Sequence, residues 1–255
     1  MQKKVAILIV AYNAASTITK VLDRIPAGVK NIVEEIMIFD NASPDNTNLV
    51  AEDWKQKAGL DKLSIFRNQA NEGYGGNQKL GYAYAIKKGY DIVVMLHADG
   101  QYAPEMLPAI LAPLIEEKAD AVFGSRMLVR GAARRGGMPF YKYVGNKVLT
   151  FLENLATGAR LSEWHSGYRA YTTKALRMVN FQKNTGDYHF DSEIIIQFVD
   201  RGLKIVELPI PTYYGDEICY VNGLKYAALI MKSVCQYLLH KAGLRSYEKY
   251  ERPVV

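Results

Sequence analysis

Cysteine is scarce in this sequence: Cys219 and Cys235 are the only two among 255 residues. Two cysteines at this spacing provide neither a disulfide framework nor a cysteine-ligated metal site. We therefore expect the protein to work in a reducing compartment, the cytoplasm. The chain length is sufficient for one substantial hydrophobic core.

Long hydrophobic runs are also missing. The apolar run at residues 5–11 has seven residues, whereas a membrane-spanning helix needs about 20. Lysines precede this run and small residues follow it, as in a signal peptide, but a helical pattern comes directly afterwards. We therefore interpret residues 5–11 as part of a first β-strand and expect no membrane-spanning segment.

Acidic residues are absent between Asp120 and Glu153, and the whole chain has a net charge of +6. Glycines are frequent in this segment, so it is predicted to be a mobile loop. A basic loop suits phosphate or anionic lipid, with a solvated basic surface as the alternative. No nucleic-acid-binding motif accompanies the charge, and no nucleic acid is expected. The cations of this basic segment are Arg126, Arg130, Arg134, Arg135, Lys142 and Lys147.

Short apolar runs alternate with longer helical patterns along the chain. This alternation predicts an α/β fold in which a mostly parallel sheet is covered by helices on both faces. Strands are predicted at 4–12, 34–40, 62–66, 90–96, 119–125 and 204–214. Helices are predicted at 15–25, 47–58, 77–89, 104–118, 141–158 and 191–202.

The last forty residues differ from the rest. We predict one α/β domain at 1–215 and a helical carboxyl-terminal extension at 216–255. In the extension, lysine, glutamine and histidine recur at near-helical spacing among apolar residues between Tyr220 and Lys241. Two interpretations remain open: a terminal helix docked on the core, or an interfacial helix lying on a bilayer.

Polar residues follow three of the predicted strands. Ala11, Tyr12 and Asn13 end the first, residues 40–45 end the second, and residues 97–101 end the fourth. Polar strand ends along the carboxyl edge of a parallel sheet indicate a nucleotide site, although each could be a turn by itself. The glycine-rich stretch at 71–81 matches neither dinucleotide-binding nor Walker patterns. We expect its glycines to let the backbone pass close to a ligand or another strand.

Six stretches together resemble family 2 glycosyltransferases with the Rossmann-like GT-A fold. They are, in order, VAILIVAYN, IFDNASPDNT, NEGYGGNQKLGYAYA, MLHADGQYAPE, VFGSR and SGYRAY. The resemblance covers about residues 3–215, and it is strongest to dolichol-phosphate mannose synthase and related polyprenyl-phosphate glycosyltransferases. It implies an inverting, metal-dependent hexosyltransferase that uses a nucleotide-sugar donor, UDP- or GDP-linked.

The resemblance also assigns the donor-binding residues. Tyr12 and Asn13, after Ala11, would hold the base, and Asp40 would read it. Asn41 and Ala14 stand where the family often has acids, so the nucleotide stays open. His97-Ala98-Asp99 matches the metal motif of the family, with histidine in place of its first acid. The implied ligands of Mg²⁺ or Mn²⁺ are His97, Asp99 and Gln101, although His97 could equally be a strand-end histidine bonded to the backbone.

On the acceptor side, the resemblance implies that Arg126 contacts phosphate. Lys142, Arg134 or Arg135 would be the second phosphate-binding cation, and the SGYRAY motif makes Ser166 and Arg169 acceptor-side candidates. A phosphate acceptor needs no general base because it is already anionic. A sugar hydroxyl would need one, and Asp191 is the candidate.

We therefore expect transfer of a sugar to a polyprenyl phosphate by a peripheral protein at the cytoplasmic membrane face. An oligomer or a membrane-protein partner is possible. Transfer to a sugar hydroxyl in surface polysaccharide is the alternative. A nucleotidyltransferase would usually carry a glycine-rich basic loop after the first strand, where this chain has YNAAS. A sugar- or lipid-binding module would have no use for Asp99 and Gln101 together.

Overall fold

The computed structural model describes residues 3–214 and 222–253. Within them, seven strands form one sheet in the order β3-β2-β1-β4-β6-β5-β7. The strands are β1 (Val5–Ala11), β2 (Glu35–Asp40), β3 (Leu63–Arg67), β4 (Ile92–His97), β5 (Ala121–Ser125), β6 (Arg169–Thr172) and β7 (Ile205–Pro209).

The sheet is parallel except for β6, which runs antiparallel to both β4 and β5. The prediction of a mostly parallel sheet is therefore confirmed. In the register of the central strands, Ala11 pairs with Asp40 and Val10 pairs with His97. This register brings the carboxyl ends of β1, β2 and β4 side by side.

Helices cover both faces of the sheet, as the alternation of patterns predicted. Every residue of β1 is buried, because odd-numbered residues such as Ile7 pack into one core and even-numbered ones such as Leu8 into the other. The helices are α1 (Ile18–Arg24), α2 (Ala27–Ile32), α3 (Thr47–Ala58), α4 (Gly73–Lys87), α5 (Leu107–Ile115), α6 (Ala132–Arg135), α7 (Phe140–Thr157), α8 (Thr173–Leu176), α9 (Phe190–Asp200) and α10 (Gly223–Lys241).

Helix α4 starts at Gly73, earlier than the predicted start at residue 77. The glycines of its first turn lie against the segment at 185–190. A Cβ on Gly73 would lie 2.4 Å from the carbonyl oxygen of Gly186, and one on Gly75 would lie 2.5 Å from the Cβ of Phe190. The expected close approach of the backbone therefore exists, but the neighbour is a loop and helix start rather than a strand.

The basic segment after β5 is not a loop throughout, because it contains the short helix α6, and that part of the prediction is wrong. Its lysines at 142 and 147 lie on α7, within the helix predicted at 141–158. Gly131 and Gly137 flank α6 with φ angles of 75° and 88°. These left-handed conformations favour glycine, and they explain how two turns and a helix fit into the segment.

Helix α10 docks on the core. Ile230, Val234 and Tyr237 are buried in the core beside α9. Ser233 donates to Glu193 at 2.8 Å, and the Tyr237 hydroxyl donates to Asp200 at 3.1 Å. The docked alternative therefore describes residues 223–241, while the start of the predicted segment, at Tyr220, lies outside the described residues. In the described ranges no helix is both long enough and apolar enough to cross a membrane.

Helix α7 has the reverse of the usual amphipathic arrangement. Its buried residues are polar, namely Asn146, Thr150, Glu153 and Thr157. Several of its apolar residues face outward, and the exposed fractions of Phe151 and Leu155 are 65% and 72%. We name this exposed row the α7 stripe; its members, spaced alternately three and four apart, are Tyr141, Val144, Val148, Phe151 and Leu155.

Candidate active site at the carboxyl edge of the sheet

Asp40, at the end of β2, lies fully buried beneath the edge of the sheet. Its Oδ1 accepts from the Ser43 amide at 3.2 Å and from the Ser43 hydroxyl. Among the described residues no donor bonds to its Oδ2, which lies 3.7 Å from Nη1 of Arg67. A buried carboxylate oxygen without a donor is costly unless a ligand supplies one, and an N–H group of a nucleotide base would do so.

Hydrogen bonds connect the loops after β1 and β2. The amide of Asn13 donates to Ser43 Oγ at 3.0 Å, and that of Ala14 donates to Thr47 Oγ1 at 2.9 Å. Asn13 has a φ of 51°, in the left-handed region that asparagine tolerates better than most residues. Tyr12, at the tip of this turn, has an exposed ring that a flat base could stack on. Ala11, directly before the turn, is buried.

The end of β4 carries the predicted metal ligands. Ala98 is buried and donates its amide to Val10 at 3.1 Å, which continues the strand pairing past His97. Asp99 is exposed, and its Oδ1 accepts from the amide of Gln101 at 2.9 Å. In the part of the chain that the structure describes, no three or more His, Cys, Asp or Glu side chains group as a metal cage. The exposed Asp99 carboxylate still fits Mg²⁺ or Mn²⁺, because Mg²⁺ commonly keeps waters and substrate phosphates and takes one or two protein carboxylates.

His97 binds a side chain rather than the backbone. Its Nε2 is 3.1 Å from the hydroxyl of Tyr74, and its ring packs edge-to-face on Tyr74 and on Tyr102, with centroids 5.5 and 4.9 Å away. Burial lowers the pKa of His97 below its usual value. The imidazole is therefore neutral at physiological pH, the form in which histidine binds metals.

Asp191, at the start of α9, is buried and engaged through both oxygens. Oδ2 accepts from the Tyr74 hydroxyl at 3.0 Å, and Oδ1 accepts from Gln78 at 3.2 Å. Nε of Arg169 lies 3.7 Å from Oδ1, and Arg169 is itself buried over the ring of Phe123. Arg169, the acceptor-side candidate, thus faces Asp191 inside the protein.

Arg126, directly after β5, is buried against Glu163. Its amide and Nε donate to the Glu163 carboxylate at 2.6 and 2.9 Å, and Nη2 also donates to Glu163. Burial opposes both charges, but Arg126 keeps the pKa of Glu163 below its usual value, and Glu163 raises the pKa of Arg126. Nη1 bonds to the Tyr214 hydroxyl at 3.2 Å. Nε and Nη2 of Arg126, which together could bind a phosphate in a bidentate manner, therefore already bond to Glu163. A phosphate contact by Arg126 stays a prediction and would have to use Nη1.

A cavity of about 100 Å³ opens beside Arg126. Three cations line it, namely Arg126, Arg130 and Lys147, together with the uncharged residues Met127, Leu128, Val129, Gly131, Ala133 and Tyr143. The predicted candidates for the second phosphate-binding cation lie elsewhere. Their nitrogens interact as follows: Lys142 over the Tyr214 ring, Arg134 with the carbonyl of Met138, and Arg135 with the carbonyl of Arg130.

The segment before β6 reaches the same edge of the sheet from the opposite direction. Ser166 is buried, and its Oγ accepts from the Tyr168 amide at 3.3 Å. The Gly167 amide donates to the Tyr102 hydroxyl at 2.7 Å. Because β6 is antiparallel, this segment lies directly beside His97, so the motifs predicted for the donor and for the acceptor meet.

Sequence reasoning missed Tyr74, Tyr102 and Glu163. Tyr74 lies in the glycine-rich stretch, in which the glycines were the only residues predicted to have a role. Glu153 is the first acid after the basic segment, and Glu163 is the next one. An isolated acid close in sequence to a run of cations could have indicated an ion pair. Nothing local indicates Tyr102, whose partner Gly167 is 65 residues away.

Comparison with known proteins adds three findings. The model of the family described as Glycosyl transferase family 2 matches residues 6–179. UDP-N-acetylglucosamine–dolichyl-phosphate N-acetylglucosaminyltransferase of Methanococcus voltae is 29% identical over 224 residues, which are 84% of this chain and 87% of that protein. Dolichyl-phosphate hexose transferase of Haloferax volcanii is 30% identical over 209 residues, 81% of each chain.

Among solved structures, glucosyl-3-phosphoglycerate synthase from Mycobacterium tuberculosis superposes with a TM-score of 0.66. The match covers 96% of this chain and 80% of that one, at 19% identity. That crystal structure contains Mn²⁺, UDP and phosphoglyceric acid. The likeness confirms the predicted GT-A fold.

Proposed function

Because the chain belongs to glycosyl transferase family 2, we propose that it moves a sugar from a nucleotide-sugar to a polyprenyl phosphate at the cytoplasmic face of a membrane. The relatives named above act on dolichyl phosphate. In the structure, the observation that carries the proposal is the cavity lined by Arg126, Arg130 and Lys147, within the acid-free segment. Cations converging on one small cavity suit a phosphate monoester.

The state of Asp191 favours this acceptor over a sugar hydroxyl. A hydroxyl acceptor needs a base that can take its proton, but both oxygens of Asp191 already accept hydrogen bonds, and Arg169 lies opposite. A phosphate monoester is anionic at neutral pH and needs only cations that position it. Inverting attack on the sugar carbon by a phosphate oxygen therefore requires no residue in the role that Asp191 was predicted to fill.

On the donor side, Asp40 and the turn at Tyr12–Asn13 would hold the base of a UDP- or GDP-sugar. Asp99, with Gln101 and His97, would hold Mg²⁺ or Mn²⁺. A bound divalent cation would neutralise charge that develops on the leaving diphosphate. Asp99 is suited to this role because its carboxylate is exposed and oriented by the Gln101 amide.

The α7 stripe supports a membrane surface as partner. Exposing apolar side chains such as Phe151 and Leu155 to water is unfavourable. A row of apolar side chains with lysines nearby is suited to binding the surface of an anionic bilayer. Lys147 lies on the same helix and also lines the cavity. The surface that would bind the membrane and the cavity that would bind the lipid phosphate are thus adjacent. Helix α10, for which an interfacial position was one of the two alternatives, instead docks on the core.

Removing the cavity cations should impair use of the acceptor. Arg130→Ala and Lys147→Ala are each expected to raise the KM for a short-chain polyprenyl phosphate about tenfold or more, because a charge-assisted contact contributes about 1.5–3 kcal/mol. The KM for the nucleotide-sugar should change little. Lys57→Ala, which removes an exposed lysine of α3, is the matched control.

An acceptor panel tests the proposed function itself. Steady-state transfer to polyprenyl phosphate should exceed transfer to oligosaccharides. Glycosylation of oligosaccharides alone, together with inactivity of Asp191→Asn, would establish the hydroxyl mechanism instead.

Replacing two apolar side chains of the α7 stripe by serine should weaken membrane binding. The double variant Phe151→Ser/Leu155→Ser is expected to lose at least about tenfold in affinity for vesicles containing anionic lipid, since burying each side chain contributes about 1.5–3 kcal/mol. Vesicle flotation measures this loss. Leu49→Ser, an exposed leucine on α3, should bind as the wild type does. Unchanged flotation, with a dimer that the double variant dissociates, would show instead that a second copy covers the stripe.

A further inference from the structure

The hydroxyl of Tyr74 lies between two site residues from distant parts of the chain. Its oxygen is 3.1 Å from Nε2 of His97 and 3.0 Å from Oδ2 of Asp191. A phenol hydroxyl carries one hydrogen, so it can donate to only one of these two atoms. The direction of this single hydrogen decides which nitrogen of His97 is protonated.

Asp191 determines the direction. Its Oδ1 accepts from Gln78 at 3.2 Å and faces Nε of Arg169 at 3.7 Å. An ionised carboxylate can only accept hydrogen bonds. The hydrogen of Tyr74 therefore goes to Oδ2 of Asp191, and the oxygen of Tyr74 accepts a hydrogen from Nε2 of His97.

We infer that Tyr74 is a positioning residue that holds His97 in the Nε2–H tautomer and leaves the lone pair of Nδ1 to bind the divalent cation of the donor complex. A neutral imidazole carries one ring hydrogen, so fixing it on Nε2 makes Nδ1 the basic nitrogen. The identity of the cation rests on the proposed function, whereas the tautomer rests on the contacts of Tyr74 and Asp191.

Packing around the hydrogen bond keeps the ring in this orientation. A Cβ on Gly167 would lie 2.7 Å from Nε2 of His97 and 3.0 Å from the hydroxyl oxygen of Tyr74. The backbone of Gly167 therefore covers the hydrogen bond, and the ring of Tyr102 packs edge-to-face on the imidazole. A ring held on these sides has a fixed orientation, which a metal ligand needs.

This hydrogen bond would allow histidine to stand at the first position of the predicted metal motif. A histidine ligand usually donates its second ring N–H to an oxygen, which fixes its tautomer. Here the oxygen belongs to Tyr74, and Asp191 in turn orients Tyr74. Asp191 thereby acts through Tyr74 and His97 rather than on the acceptor.

Nitrogen NMR of ¹⁵N-histidine-labelled, metal-free protein tests the tautomer directly. The chain has four histidines, and His97→Asp identifies the signal of His97. We expect the wild type to show hydrogen on Nε2, and Tyr74→Phe to show a mixture of both tautomers. Tyr84→Phe, on the same helix but bonded to Glu35 at 3.3 Å, should leave the spectrum of His97 unchanged. Hydrogen on Nδ1 in the wild type would overturn the inference.

Titration with Mn²⁺ in the presence of UDP or GDP tests the consequence for the cation. Tyr74→Phe is expected to weaken Mn²⁺ binding about tenfold or more, because loss of a partner that orients a metal ligand usually costs about 10–100-fold. In a His97→Asp background the same change should have almost no effect. An equal loss in both backgrounds would show that Tyr74 is merely structural. If neither nucleotide binds, the proposed function fails, while the NMR experiment still decides the tautomer.

Discussion

Asp99→Ala is expected to lower the rate of sugar transfer by about 10³-fold or more. Asp99 provides the exposed carboxylate at the end of β4. A divalent cation at the departing diphosphate contributes several kcal/mol to transition-state stabilisation, and each 1.4 kcal/mol corresponds to about tenfold in rate. Product formation at saturating donor, measured with Mn²⁺ and with Mg²⁺, gives the rate.

Asp91→Ala is the matched control for this prediction. Asp91 is also exposed and also accepts a backbone N–H, from Lys4 at 2.8 Å, but it lies just before β4, at the opposite edge of the sheet. Each variant therefore loses one hydrogen bond, a change of about 1 kcal/mol in stability. If Asp99→Ala transferred sugar within tenfold of the Asp91→Ala rate, Asp99 would be only a turn residue.

Arg126→Met is expected to lower the free energy of unfolding by about 3–5 kcal/mol, because it leaves a buried carboxylate without its counter-charge. The side chain of Glu163 is 0% exposed and accepts from Arg126 through three nitrogens, the amide, Nε and Nη2. Asn146 supplies one further hydrogen bond, at 2.8 Å. Urea unfolding followed by the fluorescence of the fully buried Trp164 measures the change.

Two further variants separate a structural role of Arg126 from a phosphate contact. Adding Glu163→Gln to Arg126→Met should recover part of the lost stability, since the unpaired charge is removed. Arg24→Met is the control: it breaks a half-exposed ion pair with Glu105 and should lower the free energy of unfolding by under about 1 kcal/mol. A loss of under 1 kcal/mol in Arg126→Met would show that the Glu163 pair contributes little, and would leave Arg126 as a binding residue.

The same pair should make stability depend on pH. Because the pKa of Glu163 is lower in the folded than in the unfolded state, its contribution is complete above its ordinary value of 4.5. The contribution is lost as the pH falls towards the pKa of the folded state. Between the two values the unfolded chain binds more protons, so the wild type loses stability with acid while Glu163→Gln should lose less.

The helices and strands with strong periodicity were predictable from sequence. The helix at 47–58 was predicted at the bounds that the structure gives, because its sequence has polar turn residues before it and Gly59 after it, in the left-handed conformation. Strand β6 was not predicted as a strand, since its four residues are too few for an alternating pattern. The early start of α4 depends on contacts with Gly186 and Phe190, more than a hundred positions away, which no local pattern encodes.

The site was predictable where residues follow a strand and hidden where side chains meet across the fold. Asp40 and His97 could be placed at one edge because parallel strands end together. The Tyr74–Asp191 hydrogen bond joins residues 117 positions apart, so its existence depends on how α4 and α9 pack. The resemblance implied that Arg126 contacts phosphate. No local pattern indicated its ion pair with Glu163, because Glu163 follows α7 in the sequence.

The position of β6 in the sheet also constrains the order in which the chain can fold during synthesis. β5 lies between β6 and β7, so it leaves the ribosome before either of its sheet neighbours exists. β4 likewise keeps one bare edge until residue 172 has been made, although β1, β2 and β3 can already pair. Unpaired strand edges attract other chains. Slow translation between β5 and β6 would therefore prolong the interval in which the nascent protein is most prone to aggregate.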